Sequence, residues 1–438
     1  MGDVVRVGLL GCGNVGAAVA RMLHEHGDEI ARRAGTAIEV TRVAVRELDR
    51  PRDVPVPAGL FTDDPDQVVR DPDIDVVVEV MGGIEPARTL ILEAFRQGKP
   101  VVTANKELLA TLSRELFESA AAGHVDLLYE AAVGGGIPLI RPLREHLAGD
   151  RILRFMGIVN GTTNYILTRM TEDGWSLGQA LAEAQRFGYA EADPAADLEG
   201  HDAAAKAAIL ASIAFDLRVA AGDVYREGIM AITPDDIRFA KQLGYVVKLL
   251  AIAEGDGQEV SVRVHPAMIP VGHPLASVRE SFNAVYIEGE RVGPLMLFGR
   301  GAGGDPTATS VVGDVIELAR SRSRGGANSL IGHADHPGAP SELAPRRLRP
   351  IEEMQTQYYM LMRVADRPGV LAAIALVFAE HQVSIKSVWQ EGHAEEAQIV
   401  LITHQARERA LQACLRDLRM IDTVKSVSSV IRVEAGEP

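Results

Sequence analysis

Through the first 130 residues one pattern repeats: a short apolar run, then a stretch whose apolar positions recur every three or four residues. Apolar runs fall at 4–10, 38–45, 74–80, 101–103 and 125–129, and helical spacing at 17–33, 87–97 and 108–121. Runs without a polar face suit strands buried on both sides, and the amphipathic stretches suit the helices that cover them. The pattern predicts an α/β domain over residues 1–140, built on a doubly wound parallel sheet. It changes over 141–304. A strand-like run at 152–159 precedes Ala- and Leu-rich helical stretches at 177–187, 203–215 and 235–253, and β-like runs follow at 260–264 and 284–290. This reads as an α+β domain with its own sheet. A helix over 305–320 returns to complete the first domain. Residues 321–355, rich in Arg, Ser, Gly, Pro and His in their first part, read as a linker. Residues 356–438 read as a small βαββαβ unit.

Composition narrows the class without touching the chemistry. A chain of 438 residues exceeds one ordinary core. Its net charge of −15 argues against nucleic acid as a partner, because phosphate neutralisation needs a basic face. No apolar run approaches the roughly 18–20 residues that span a bilayer, so no membrane partner is expected. The start of the chain lacks the layout of a secretion signal. The two cysteines, Cys12 and Cys414, cannot build a disulfide framework. A cytoplasmic setting is expected.

Three motifs carry candidate chemistry. Gly11-Cys12-Gly13-Asn14-Val15-Gly16 follows a strand and opens a helix, the context in which G-x-G-x-x-G marks a Rossmann-type dinucleotide site. Gly11 permits the turn, Gly13 lets the backbone approach a pyrophosphate, and Gly16 lets helix pack on strand. The helix N-terminus then offers N–H groups to phosphate. At the end of the second strand, Arg46 suits the 2′-phosphate of NADP, while the adjacent Glu47 keeps NAD open. Thr103-Ala104-Asn105-Lys106 stands at another strand end, where Lys106 would face cofactor and substrate. The stretch 188–206 sets five carboxylates, Glu191, Asp193, Asp197, Glu199 and Asp202, ahead of Lys206. Asp202 and Lys206, four apart, share a helix face. This is either a pocket for a substrate ammonium with a lysine acting on a carbonyl or hydroxyl, or an acidic loop with an ordinary ion pair. Three glycines at 134–136 suit either a hard monovalent cation held by carbonyls or a plain chain reversal.

Taken in order, GCGNVG, TANK at 103–106, EAAVGGGIP at 130–138, NGTTNYIL at 160–167, GYAEADPAADLEGHDAAAK at 188–206 and GRGAGGDPTATSVVGD at 299–314 resemble homoserine dehydrogenases along nearly the whole chain. The C-terminal unit, with DRPGVL at 366–371, resembles an ACT regulatory domain. With no kinase segment ahead of it, the chain resembles the monofunctional type. The resemblance implies reversible oxidation of L-homoserine to L-aspartate 4-semialdehyde with NAD or NADP. It implies catalytic roles for Lys206 and Lys106, and substrate binding by Glu191, Asp202 and Asp197. Cofactor contacts are expected at Gly11, Gly13, Asn14, Val15, Gly16 and Arg46, and by resemblance at Thr103, Lys106, Gly188 and Gly304. It also tilts the triple-glycine turn toward a sodium ion, with Glu130, Val133, Gly135 and Ile137 as ligands. L-threonine is the expected inhibitor at the ACT unit, and a homodimer or homotetramer the expected assembly. Two rivals remain open. One is a non-catalytic nucleotide and amino-acid sensor. The other is another semialdehyde dehydrogenase, for which a thioester route would need a cysteine that neither Cys12 nor Cys414 is placed to supply.

Overall fold

The computed structural model describes residues 4–323, 346–393 and 395–434. The first sheet is parallel throughout. Its strands run in the order Phe61–Thr62, Ile38–Ala44, Val5–Leu10, Val76–Glu79, Val101–Thr103, Leu127–Leu128. The two-residue period divides each strand between two cores: Val76 and Val78 join one, Val77 the other. Helices Asn14–Glu25 and Gly304–Ser323 cover the first face, and Ala87–Arg96 and Lys106–Ala122 the second. In the late helix, Ala308, Val311, Val312, Val315 and Ala319 fall three and four apart and pack with Val5, Val7 and Val19. The winding reverses between Val5–Leu10 and Val76–Glu79, and a ligand crevice is expected beyond the carboxyl ends of such strands.

The second sheet is larger than the sequence suggests. Its main path runs Gly293–Arg300, Phe282–Gly289, Ile152–Ile158, Tyr245–Gly255, Glu259–Pro270, then Val424–Val433, Gln355–Ala365, Glu396–Thr403 and Ile385–His393. The C-terminal βαββαβ unit is present, with helices Val370–Glu380 and Glu408–Leu418. It is not a separate sheet, because Ala267 pairs with Arg432 and Met268 with Val433, parallel, joining both units edge to edge.

Two expectations are corrected. The stretch 235–253 is not one helix. Helix Pro234–Gln242 ends at Leu243, Gly244 turns with φ +80°, and Tyr245–Gly255 is a strand. Its run Val247–Ala253 is buried throughout, so no polar face exists to show period two. Most of the 321–355 linker lies outside the described residues, but its last part is structured. Arg347–Leu348 pairs with the strand Glu259–Pro270, and Arg347 and Arg349 both bond Glu259.

Helix His201–Ala214 lies between the two domains. It packs on helix Lys106–Ala122 at one side and on Tyr245–Gly255 and Glu259–Pro270 at the other. Among the described residues no helix is long and apolar enough to cross a membrane.

Candidate active site

The glycine loop does three different things. Gly11 has φ +105°, and a Cβ there would stand 3.0 Å from the Val80 carbonyl. A Cβ on Gly16 would lie 2.2 Å from the Gly11 carbonyl, so helix meets loop at a distance only glycine allows. Gly13 has nothing within 4 Å of such a carbon and opens onto a cleft of about 770 Å³. No side chain caps the first turn of helix Asn14–Glu25, which leaves its N–H groups to a ligand. Gly11, Gly13, Asn14, Arg46 and Gly304 line this cleft. Gly16 is buried beneath it, and Val15 lines the adjoining pocket. Gly304 is a glycine for a steric reason: its Cβ would approach the Asn14 carbonyl to 2.8 Å. Arg50 and Arg52 line the cleft with Arg46, as do Glu47, Asp53 and Asp63.

That pocket, about 280 Å³, shares Val80, Met81 and Gly82 with the cleft, so the two form one crevice. Lys106 and Lys206 both line it. Lys106 starts its helix after Asn105, whose Oδ1 accepts from Leu108 N–H as the cap and whose Nδ2 donates to Gly83 O. Lys106 Nζ lies 2.7 Å from Asp202 Oδ1. Lys206 Nζ donates to Asp202 Oδ2 and to Val159 O, each at 2.7 Å. Two of its three protons are engaged, which leaves one for the pocket. Asn160 Nδ2 donates to Asp197 Oδ1 at 2.7 Å and to Asp202 Oδ2 at 2.9 Å.

Charge state follows from this packing. Burial opposes ionisation of Asp202, but Lys206 and Lys106 outweigh it and hold the carboxyl far below its ordinary range. Burial likewise opposes charge on Lys106, yet Asp202, with Asp197 and Glu107, raises its pKa above the ordinary value. The arrangement is an anion clamped between two cations at the wall of a crevice. It can hold a cationic donor against an oxygen that gains charge.

Three family models match the chain: homoserine dehydrogenase at residues 138–316, the homoserine dehydrogenase NAD-binding domain at 11–130, and the ACT domain at 358–419. The homoserine dehydrogenase of Mycobacterium bovis is 49% identical over 98% of this chain and 98% of its own length. That of Corynebacterium glutamicum is 48% identical over 99% and 96%. The chain belongs to the homoserine dehydrogenase family. A solved homoserine dehydrogenase from Thiobacillus denitrificans is 42% identical and covers 99% of both chains with a TM-score of 0.93. As a member of the homoserine dehydrogenase family, the chain is an NAD(P)-dependent oxidoreductase acting on a CH–OH group.

Not every expected residue of this homoserine dehydrogenase site meets the clamp. Glu191 is exposed on the loop after helix Leu177–Arg186, its carbonyl accepting from Gln185 Nε2. Gly188, φ +73°, turns the chain at that helix end and lines neither the cleft nor the pocket. Thr103 is fully buried, its hydroxyl donating to Glu79 Oε2 at 2.6 Å, so it holds the wall rather than facing the crevice. Both oxygens of the Glu130 carboxylate are taken, by the N–H groups of Leu139, Ile140 and Arg141. Ser310 Oγ donates to Gly135 O at 2.6 Å. Among the described residues no cluster of three or more His, Cys, Asp or Glu could hold a metal ion. At this turn the Glu130 carboxylate and the Gly135 carbonyl are thus both engaged within the protein.

Sequence reasoning missed Asn160, Glu79 and the Val159 carbonyl. Asn160 had one signal: an Asn directly before a helical run is a capping residue, and its Oδ1 accepts from Thr163 N–H. The thioester rival loses ground, since burial raises both thiols, Cys414 to about 11.

Proposed function

We propose that the chain interconverts L-homoserine and L-aspartate 4-semialdehyde, as a step toward threonine, methionine and isoleucine in the cytoplasm. The observation that carries this is the Lys106–Asp202–Lys206 clamp at the wall of a pocket continuous with the dinucleotide cleft. The bound nicotinamide supplies or accepts the hydride. In the reducing direction, negative charge grows on the aldehyde oxygen as its carbon takes up the hydride. The Lys206 ammonium stabilises that oxygen and passes a proton to it, and Lys106 adds its charge. Asp202 favours the charged form of Lys106 and orients both lysines. Asp197, aligned by Asn160, and Glu191, from its exposed loop, bind the substrate ammonium. Absorbance of the reduced nicotinamide, followed with L-homoserine, tests the reading. Turnover is expected in the native protein, with loss of about 100-fold or more in kcat for Lys206→Ala. No turnover with homoserine, or native kcat in Lys206→Ala, would sink it.

Arg46 at the cleft wall supports a preference for NADP over NAD. A sodium ion at the 130–137 turn would be held mostly by main-chain oxygens of Glu130, Val133, Gly135 and Ile137, that of Gly135 shared with the Ser310 hydroxyl, where it would stiffen the turn that closes on Gly301. The ACT unit supports feedback inhibition by L-threonine at the turn Asp366–Gly369. A threonine titration that left activity unchanged would remove that assignment. Exposed Phe298 on the edge strand Gly293–Arg300 and exposed Trp389 on the edge strand Ile385–His393 support assembly as a homodimer or homotetramer.

A further inference from the structure

The ACT unit meets the rest of the chain through strand Val424–Val433, and two of its side chains grip one segment. Arg432, buried, donates from Nε to Glu408 Oε2 at 3.0 Å and from Nη1 to Glu227 Oε1 at 2.9 Å. Glu408 opens the ACT helix Glu408–Leu418 and also accepts from the Tyr358 hydroxyl at 2.8 Å. Three residues before Arg432, Ser429 Oγ donates to Asp236 Oδ2 at 2.8 Å. Asp236 is the carboxylate that, with Thr233, caps helix Pro234–Gln242. Residues 227–236 are thus fastened at both ends to one ACT strand.

Between those ends the segment bears on the substrate side of the molecule. Ile229 N–H donates to Leu198 O at 2.8 Å. Gly228 sits so close that a Cβ would stand 2.1 Å from Leu198 O and 2.6 Å from Glu199 Cα. The contact is backbone on backbone, with no flexible side chain to absorb a displacement. Asp197, the residue before Leu198, shares the Asn160 amide with Asp202.

We propose that residues 227–236 form a strap through which the ACT unit sets the position of Asp197, and through Asn160 that of Asp202. Glu227 and Gly228 are positioning residues: they act on the pocket through Leu198. A change at the start of helix Glu408–Leu418 reaches Arg432, then Glu227, then the 197–200 turn. The assignment of the strap rests on the reading of Asp197 and Asp202 as substrate carboxylates only where kinetics are used.

The test takes the full-length protein with Glu227→Gln, Gly228→Ala and Arg432→Met, and reads two quantities. Hydrogen exchange at the amides of Leu198, Glu199, Gly200 and Ile229 is expected to quicken, while the 11–16 loop stays as protected as in the native protein. The KM for homoserine is expected to rise about three- to tenfold while the KM for the cofactor stays within about twofold. A cycle of Glu227→Gln with Asp197→Asn is expected to be non-additive in kcat/KM, the double variant losing at least about threefold less than the product. If Arg432→Met does not fold, Glu227→Gln, at a half-buried site, decides alone. Unchanged exchange at 198–200 overturns the strap. So does an unmoved homoserine KM, or a cofactor KM that rises equally. A native protein with no homoserine turnover counts against the proposed reaction instead, and the exchange measurement still decides the strap.

Discussion

Lys106 and Asp202 come from different domains and meet at 2.7 Å, on the oxygen of Asp202 that Lys206 leaves free. The first lysine begins a helix of the dinucleotide-binding domain; the aspartate lies in the first turn of a helix packed on the second sheet. Their contact is therefore both a domain junction and the wall of the pocket. Asp202→Asn is expected to leave two facing ammonium groups without their shared anion. Breaking a buried pair costs about 3–5 kcal/mol, and the partial exposure of Lys106 reduces this to about 2–3. The deficit depends on pH. An unfolded aspartate takes up its proton near 3.8, whereas the folded carboxyl holds off until much lower pH. The unfolded state therefore binds more protons in that interval, and the native advantage fades as pH falls through it. Urea unfolding of both proteins at neutral pH and near pH 3 checks this; a difference that does not shrink in acid would contradict it.

Gly13 and Gly16 separate cofactor binding from folding within one loop. A methyl on Gly16 would meet the Gly11 carbonyl at 2.2 Å, so Gly16→Ala is expected to lose about 1–3 kcal/mol in chemical denaturation. A methyl on Gly13 meets no protein atom within 4 Å and projects from the cleft wall. Gly13→Ala is expected to keep native stability and raise the cofactor KM about tenfold or more. Equal effects of the two substitutions on stability would show that the loop has been misread.

Arg46 stands exposed on the cleft wall, beside the Glu47 backbone to which Arg52 Nη2 donates. Among the described residues no hydrogen bond or ion pair engages the Arg46 guanidinium, which can pair with a 2′-phosphate, while Arg52 is tied to the loop. Arg46→Ala is expected to lower kcat/KM for NADP by about tenfold, with NAD little changed. An unaltered ratio between the two cofactors would withdraw the assignment.

Several of these features were visible in the chain before any fold was known. The alternation of unbroken apolar runs with amphipathic helices marks a parallel sheet because such strands are covered on both faces, and G-x-G-x-x-G falls where strand gives way to helix. Other features carry no local signal. Val246–Ala253 is apolar but for the buried Lys248 and has the character of a buried helix, and only Gly244 hints at the break. Asn160 lies 42 residues from Asp202, and nothing in its own neighbourhood announces that its amide bridges two carboxylates. The union of the ACT unit with the second sheet rests on two residue pairs, Ala267 with Arg432 and Met268 with Val433, far apart in sequence.

Glu79 escaped notice because it reads as the end of a buried strand, yet it braces both halves of the crevice. It is fully buried, accepts from Met81 N–H at 2.8 Å and Gly82 N–H at 3.2 Å, and takes the Thr103 hydroxyl at 2.6 Å. Thr103 Oγ1 in turn accepts from Asn105 N–H, one residue before Lys106. Glu79→Gln offers one acceptor oxygen where two are used, and leaves an amide facing the threonine. A loss of about 1–3 kcal/mol is expected, with a raised cofactor KM because Met81 and Gly82 line the cleft. The pH dependence runs opposite to that of Asp202. Burial raises the Glu79 pKa, against the hydrogen bonds from Thr103, Met81 and Gly82, which lower it. The folded state thus keeps this proton to higher pH than the unfolded chain, and the native protein gives up part of its stability as pH rises from 4.5 through the raised value. Glutamine has no such dependence. The deficit of Glu79→Gln is therefore expected to be largest in acid and to narrow toward neutral pH, and unfolding curves across that range would show the reverse trend if the carboxyl were ionised throughout.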